Sequence, residues 1–518
     1  MQPSRRRALV CAAYLGTFLA SLDISIVNVA LPTLQLRLHT DMAGLQWVVN
    51  AYAIAISAFM LSAGPLGDRY GHKPVWSASV ALFTLGSAVC ACADSLTPLL
   101  VGRTIQGLAG ALLIPSAMPI LTHAFPDSRE RARVIGGWSA FSALALILGP
   151  LLGGLLVEHF GWQSIFLVNE PLGLIALALG IWGIPSREAN PHGVFDPAGQ
   201  ALSVLCLGTL TYGLIQLGEP DASGDRLAVI FGIAIVAFLA FIWVERRVTR
   251  PLLPVALLRD PHMHMVNIAS FALGFAGYSS LFFLSLFLQQ AQGHAPAATG
   301  WQMMPQFVLM GVTSLLFGRI AHRIALPVLM VTGYGTIGLT MCAMAAFTPD
   351  TPFWIVGTAF AVLGVGMGLS VPATGMTVMG LAPAHATGMA SATMNALRQT
   401  GMTMGIALLG SLMSLRATQG LVAMAREHGA ADAPALAQSA VTAHVMDGHY
   451  DWLPRAYQVA MTQGFALAMI GGGITCVVMA AVLLRYRHHA PDAAPGGRGN
   501  GHKRLVTGST GSTGSVGK

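Results

Sequence analysis

Four ionisable side chains stand inside long apolar stretches of this sequence: Asp23, Arg103, Glu170 and Arg398. A charge at bilayer depth is costly, so residues of this kind are candidates for binding a ligand, pairing with one another or carrying a proton. An acid can take up and release a proton, and a guanidinium offers a planar fork of donors that matches a carboxylate. Each residue also has a structural reading. Asp23 and Arg103 can form a permanent ion pair that fixes helix register. Glu170, in Val168-Asn169-Glu170-Pro171, can cap a proline-broken helix start at the interface. Arg398 shares a helix face with Ser391 and Asn395, where an anionic group can dock or where the guanidinium can donate to nearby backbone carbonyls.

The elements that must position these residues are fourteen apolar stretches of about 20 residues each, between Ala8 and Leu484. At 1.5 Å rise per residue, roughly 20 residues cross about 30 Å of hydrocarbon. Only 9% of the chain is Asp, Glu, Lys or Arg and the mean hydropathy is +0.65, which leaves too little charge for the surface of a soluble protein of 518 residues. The expected class is an all-α polytopic membrane protein. Spans are expected to begin near Ala8, Gly44, Val75, Pro98, Val134, Gln163, Asp196, Arg226, His262, Thr299, Leu326, Thr351, Thr387 and Ala456.

The net charge of +7 is topology rather than a nucleic-acid footprint. Of the 28 Lys and Arg residues, 21 fall in alternate gaps that include both termini, five in the opposite gaps and two within spans. The positive-inside rule therefore places both termini in the cytoplasm and the protein in a cytoplasmic (inner) membrane. The start Ser4-Arg5-Arg6-Arg7 resembles a secretory or twin-arginine signal, but the apolar run continues to Leu31 without a convincing cleavage site and reads as a retained first helix. The six Cys lie in or beside spans without metal-ligand spacing, and His262-Met263-His264-Met265 puts its two His on different helix faces, so no metal is expected. An Arg- and Pro-rich gap from Glu245 to Pro261 reads as a linker between halves. The stretch Leu415 to Arg455 reads as an outside loop with at most one short surface helix, and the Gly, Ser and Thr tail from His489 reads as disordered. The expected division is residues 1–190, 191–250 and 251–488, followed by the tail 489–518.

Between spans two and three lies Gly64-Pro65-Leu66-Gly67-Asp68-Arg69-Tyr70-Gly71-His72-Lys73, in which Gly suits a tight turn and Asp68, Arg69 and Lys73 can pair across helix ends. This resembles the signature loop of the major facilitator superfamily. Gly149-Pro150-Leu151-Leu152-Gly153-Gly154 in span five resembles that superfamily's antiporter motif, where Pro permits a bend and Gly makes a smooth packing face. Leu22 to Pro32 in span one and Arg103 to Gly110 in span four resemble further motifs of its fourteen-spanner drug/proton antiporter branch. The second-half loop departs from the pattern, with His322 in Gly318-Arg319-Ile320-Ala321-His322-Arg323 where an acid is expected, and no Asp or Glu lies inside the spans after residue 261.

The resemblance implies a major facilitator fold of 6+2+6 transmembrane helices, two bundles around a central cavity, and a transporter rather than an enzyme. It implies proton coupling at Asp23 and Arg103, with Arg103 as counter-ion to Asp23 until a proton or substrate displaces it; Glu170 stands where the pattern has an apolar residue and joins them as a proton-coupling candidate by its depth in the membrane. Counted from the outer helix ends, Asp23 lies about nine residues in and Arg103 about five, roughly 13 and 8 Å at 1.5 Å per residue. Asn28, Gln106, Asn395 and Arg398 are expected to line the substrate cavity. Sixteen of the 25 Met fall between Val255 and Leu415, with Phe271, Phe275, Tyr278, Phe282, Phe283 and Phe287, and about a third of these side chains are assigned to an adaptable cavity wall. Two acids balance two arginines, so neutral, zwitterionic and weakly anionic substrates stay open. No phosphate-binding Gly-x-x-x-x-Gly-Lys-Ser/Thr motif is present, so no cofactor is expected and the proton gradient is the energy source. The expected activity is multidrug efflux of small amphipathic compounds, with dedicated export of one metabolite as the alternative and a non-transporting receptor further behind. The expected partners are substrate, protons and lipid, with an open place for a periplasmic adaptor and none for nucleic acid.

This topology is tested by Ala431→Cys and Ser509→Cys in a background lacking the native Cys. In intact cells an impermeant maleimide is expected to label the first and spare the second, and labelling of both would sink the topology.

Overall fold

A computed structural model describes residues 2–185, 196–219, 222–248, 260–383, 386–443 and 450–487. Fourteen of its helices are long and apolar enough to cross a membrane. They are α1 (Pro3–Arg37), α2 (Met42–Tyr70), α3 (His72–Ala91), α4 (Leu96–Ala124), α5 (Ser128–Phe160), α6 (Ser164–Gly183), α7 (Pro197–Gln216), α8 (Gly224–Glu245), α9 (Pro261–Ala291), α10 (Pro296–Ala321), α11 (Leu326–Met344), α12 (Phe353–Leu381), α13 (Thr387–Glu427) and, after a surface helix α14 (Ala433–Ala443), α15 (Leu453–Arg487). Each begins within a few residues of its expected start, because a chain in lipid must satisfy its backbone inside the helix and so advertises its spans. The linker from Glu245 to Pro261 and the tail from His489 fall largely or wholly outside the described residues.

Helices α1–α6 pack together, as do α9–α13 with α15, while α7 touches both groups and α8 packs chiefly on α7. Val229, Ile233, Val236, Phe238, Leu239 and Trp243 of α8 are exposed, which suits a helix facing lipid on most of its surface. The side where α1 begins is called near and the opposite side far; successive spans alternate between them.

Two stretches differ from expectation. The Leu415–Arg455 stretch is mostly helical: α13 continues to Glu427, and Ala417, Leu421 and Ala425 form a buried stripe at four-residue spacing. The helix stops where Gly429 takes φ +73°, and α14 then folds back on α13, burying Ala437, Ala440 and Val441. The signature loop is also mostly helix, since helical backbone reaches Tyr70 and Gly71, at φ +90°, makes the break. Asp68 lies 3.7 Å from His72 on the next helix, Lys73 donates to the Ile181 carbonyl at 2.7 Å, and Arg69 lies over its neighbour Tyr70. Gly67 packs against the His72 ring, whereas nothing crowds Gly64.

The hydrogen bonds described directly between the two six-helix groups belong to the far-side half. Ser285 donates to the Asn28 carbonyl at 2.7 Å, Gln289 to the Val29 carbonyl at 2.9 Å and Gln290 to Gln35 at 2.7 Å, while the Ala297 N–H meets Glu158 at 3.0 Å. Backbone contact completes this closure. A methyl group at Gly154 of α5 would come within 2.4 Å of the Pro296 carbonyl oxygen, and one at Gly300 of α10 within 2.3 Å of the Pro150 carbonyl oxygen. Gly149 and Gly153 face the other way, against Ser25 and Ile26 of α1. Near-side α1 bonds instead to α5 of its own group, through Arg6 to Glu130 and Tyr14 to the Val134 carbonyl.

The two glycine faces predict separable defects. Gly154→Leu is expected to part the far side without unfolding the first group, whereas Gly153→Leu drives a side chain into the Ile26 backbone and lowers the melting temperature. With Gln35→Cys and Gln290→Cys in a background lacking the native Cys, a short bis-thiosulfonate crosslinker should join the helices efficiently, and added Gly154→Leu should cut that yield severalfold. An undiminished yield would remove Gly154 from the closure.

Candidate functional site

Small residues bring the helices of the first group close enough for their polar side chains to meet. Gly86 of α3 and Gly102 of α4 face each other, each so placed that a methyl group would stand 3.1 and 2.9 Å respectively from the other's carbonyl oxygen. Gly107 presses α4 on the Tyr52 backbone of α2, where a methyl group would come within 2.4 Å of the carbonyl oxygen. Arg103, on the same helix, thereby lies beside both α2 and α1.

Asp23 and Arg103 meet at 2.5 Å between Oδ2 and Nη1, with 0% and 1% of their side chains exposed. Two further donors are used: Nε donates to the Val48 carbonyl at 3.0 Å and Nη1 also to Gln106 Oε1 at 2.9 Å. The Tyr52 ring lies 4.4 Å from the guanidinium carbon, and its hydroxyl donates to the Ala20 carbonyl at 3.2 Å. Gln106 Nε2 reaches Asp23 Oδ1 at 3.4 Å and Ser87 Oγ at 2.8 Å, and Asn169 Nδ2 meets the same Ser87 Oγ at 3.2 Å. The Cys90 thiol donates to Gln106 Oε1 at 3.6 Å. The pair is therefore the centre of a dry polar network that draws on α1, α2, α3, α4 and α6.

The meeting of spans one and four follows expectation, but α1 runs six residues past Leu31 to Arg37, so Asp23 sits near its middle rather than about nine residues from its end. Tyr52, Ser87 and Asn169 were not singled out by sequence, since a Tyr, Ser or Asn in an apolar span carries no local sign of what it will face. Glu170 is not brought to Asp23. It is half-buried in the first turn of the Asn169–Gly183 helix with one buried oxygen lacking a hydrogen bond, and Asn169, Ser87 and Gln106 lie between it and the pair.

The four expected cavity residues divide. Gln106 is fully buried in the network, and Asn28 is 5% exposed, bonding its amide to the Ile24 carbonyl and its own carbonyl to Ser285, so neither lines an open cavity in this conformation. Asn395 and Arg398 do stand together, Arg398 Nη2 donating to Asn395 Oδ1. The Tyr278 ring lies 5.1 Å from the Arg398 guanidinium carbon. Among the aromatic residues, Phe282, Phe283 and Phe287 are wholly buried, and Phe287 stacks on Phe465 at 4.6 Å; Phe271, Phe275 and Tyr278 remain half-buried. Met303, Met341, Met344, Met367 and Met413 also pack in the core, as most span methionines must where helices pack on helices.

Residues 13–406 match the family model of the Major Facilitator Superfamily. The chain is 34% identical over 405 residues to a methylenomycin A resistance protein of Bacillus subtilis (strain 168), covering 78% of this chain and 87% of that one. It is 30% identical over 493 residues to a tetracenomycin C resistance and export protein of Streptomyces glaucescens, covering 93% and 91%. A crystal structure of a bacterial homolog to the human lysosomal transporter Spinster, in an inward-facing and unoccupied conformation, superposes with a TM-score of 0.62 at 16% identity, over 94% of this chain and 98% of that one. The far-side closure, the 6+2+6 arrangement of helices and these likenesses lead to one assignment: the chain belongs to the major facilitator superfamily.

Proposed function

We propose that the chain is a proton-coupled exporter of small amphipathic compounds, working by alternating access between its two six-helix groups in a cytoplasmic membrane with both termini inside. The near side is then the cytoplasm, and the far-side closure makes this conformation the one that loads substrate from within. The observation that carries the reading is the fully buried Asp23–Arg103 pair, an acid with one counter-ion at the centre of the first group. Coupling requires a carboxylate whose proton affinity changes with conformation, and a change in the separation of Asp23 and Arg103 supplies it. Protonation of Asp23 cancels its attraction for Arg103 and frees the guanidinium from a bond that ties α4 to α1. Half-buried Glu170 is the next proton carrier in line.

Relatives named for resistance to methylenomycin A and for resistance to and export of tetracenomycin C support outward transport. The second of these also favours a narrower reading, export of one natural product, because the likeness extends over 93% of this chain. The energy source is the proton gradient, and lipid is the medium that α8 faces.

The experiment is substrate-induced proton release from detergent-solubilised protein, using methylenomycin A and tetracenomycin C as the first compounds of a panel. Wild type is expected to release protons on binding, and Asp23→Asn to release at least about tenfold fewer per folded molecule while still binding the compound. In proteoliposomes under an imposed pH gradient the variant should lose uphill export. Removing one partner of a buried pair costs about 3–5 kcal/mol, so Arg103→Ala should also lower the melting temperature markedly. Equal proton release from wild type and Asp23→Asn would take Asp23 out of the proton path.

A further inference from the structure

We infer that Arg398, with Asn395 and Tyr278, is the subsite that receives the negative charge of the exported compound, so that the chain selects amphipathic monoanions, carboxylates foremost. The inference rests on the reading of the chain as an exporter and assigns its substrate class.

Charge balance comes first. Of the two arginines within spans, Arg103 has Asp23, whereas among the described residues no acid is ion-paired with Arg398. The sequence leaves no candidate nearby. No Asp or Glu occurs between Asp260 and Asp350, or between Asp350 and Glu427, and Asp350 is itself paired with Arg455 at the far-side surface. Nε of Arg398 is buried without a hydrogen-bond acceptor, and Nη2 is held by the neutral Asn395 amide. A guanidinium fork with an unused buried donor, roughly 16 Å along α13 from its near end at 1.5 Å per residue, fits a two-oxygen anion that comes and goes.

Local backbone geometry builds the rest of the subsite. Residues Leu273–Tyr278 of α9 form a π-helical turn, a departure that needs a packing reason and recurs at functional positions. Here Gly274 lies against the Arg398 backbone, where a methyl group would come within 1.9 Å of its carbonyl oxygen, so α9 and α13 touch main chain to main chain. The turn ends at Tyr278, whose ring covers the guanidinium at 5.1 Å and leaves its edge for hydrogen bonds. On the preceding turns Phe271 and Phe275 stack at 6.2 Å and are only half-buried, offering an apolar surface beside the charge. A cation with an aromatic surface next to it suits a compound that is apolar at one end and anionic at the other.

The test uses the full chain in lipid nanodiscs and a matched fluorescent pair, dansylglycine and dansylglycinamide, which differ in carboxylate against carboxamide. Saturable binding, corrected with empty nanodiscs, is expected to favour the acid by about tenfold or more in wild type. Arg398→Gln should bring the acid's affinity down to that of the amide, and Arg398→Lys, which keeps the charge but loses the fork, should restore part of the preference. Equal affinities in wild type, absence of saturable dansylglycine binding, or a preference that survives in Arg398→Gln would each overturn the proposal. Proton-driven efflux of dansylglycine by wild-type proteoliposomes examines the exporter reading separately: absence of efflux alongside an intact acid preference would count against export and leave the anion subsite standing.

Discussion

The first six helices are organised around a single problem, how to bury Asp23 and Arg103 side by side with no more than 1% of either side chain exposed. Two isolated charges in a low-dielectric interior would each carry a large solvation penalty, and their attraction compensates only if the remaining donors and acceptors are also used. That condition sets the packing. Helices α1, α2 and α4 must come near enough to bring the Val48 carbonyl, the Gln106 amide and the Tyr52 ring to the pair; a fourth, α3, supplies Ser87, and a fifth, α6, contributes Asn169 through it. Such approach is possible only where side chains are small, which is the work of Gly86, Gly102 and Gly107. The glycines and the ion pair are thus one feature seen from two directions.

The second group is built to a different rule. Its interior holds stacked phenylalanines and methionines and one arginine that, among the described residues, has no acid paired with it, so shape is set by apolar packing. The asymmetry distinguishes the halves: a buried, charge-paired polar network in the first and, in the second, an arginine held by the neutral Asn395 amide. The far-side closure joins them through main-chain contact at Gly154 and Gly300, so a movement of α5 is felt by α10 without a flexible side chain to absorb it.

What could be read from the residues alone follows the strength of each constraint. Fourteen spans were legible because lipid imposes length and apolarity on every one of them. The Asp23–Arg103 pairing was legible through the family resemblance, which implies that spans one and four face each other; scarcity of charge alone would not have shown it, since among the described residues Glu170 and Arg398 at comparable depth do not pair. Ser87, Asn169 and Tyr52 were not, since their part depends on how helices distant in sequence are rotated. The extension of α13 beyond Leu415 was missed for another reason: outside the hydrocarbon, a helix needs only the Ala417, Leu421 and Ala425 stripe to dock, and so short a repeat does not stand out. In the Gly64–Lys73 segment the glycines suggested a turn throughout, yet Gly71 alone leaves the helical region. Asn28 and Gln106 were expected to face substrate and are instead consumed by contacts within the protein.

The inserted helix α7 is fastened at its two ends to different partners. Near its start, Gln200 donates to the Ala58 carbonyl of α2 at 2.9 Å and accepts from Ser62 at 2.5 Å. Near its finish, the Leu214 and Ile215 carbonyls accept from Ser411 of α13 at 2.8 and 3.1 Å. It therefore lies in the seam between α2 and α13, packed on α2 at both ends, with the Tyr212 ring 6.3 Å from that of Trp47 near its finish. A helix hydrogen-bonded to α2 near one membrane face and to α13 near the other has to slip against one of them whenever the two groups move apart. A two-helix insertion placed this way links the two groups at both membrane faces through Gln200 and Ser411, neither of which belongs to the Asp23–Arg103 network.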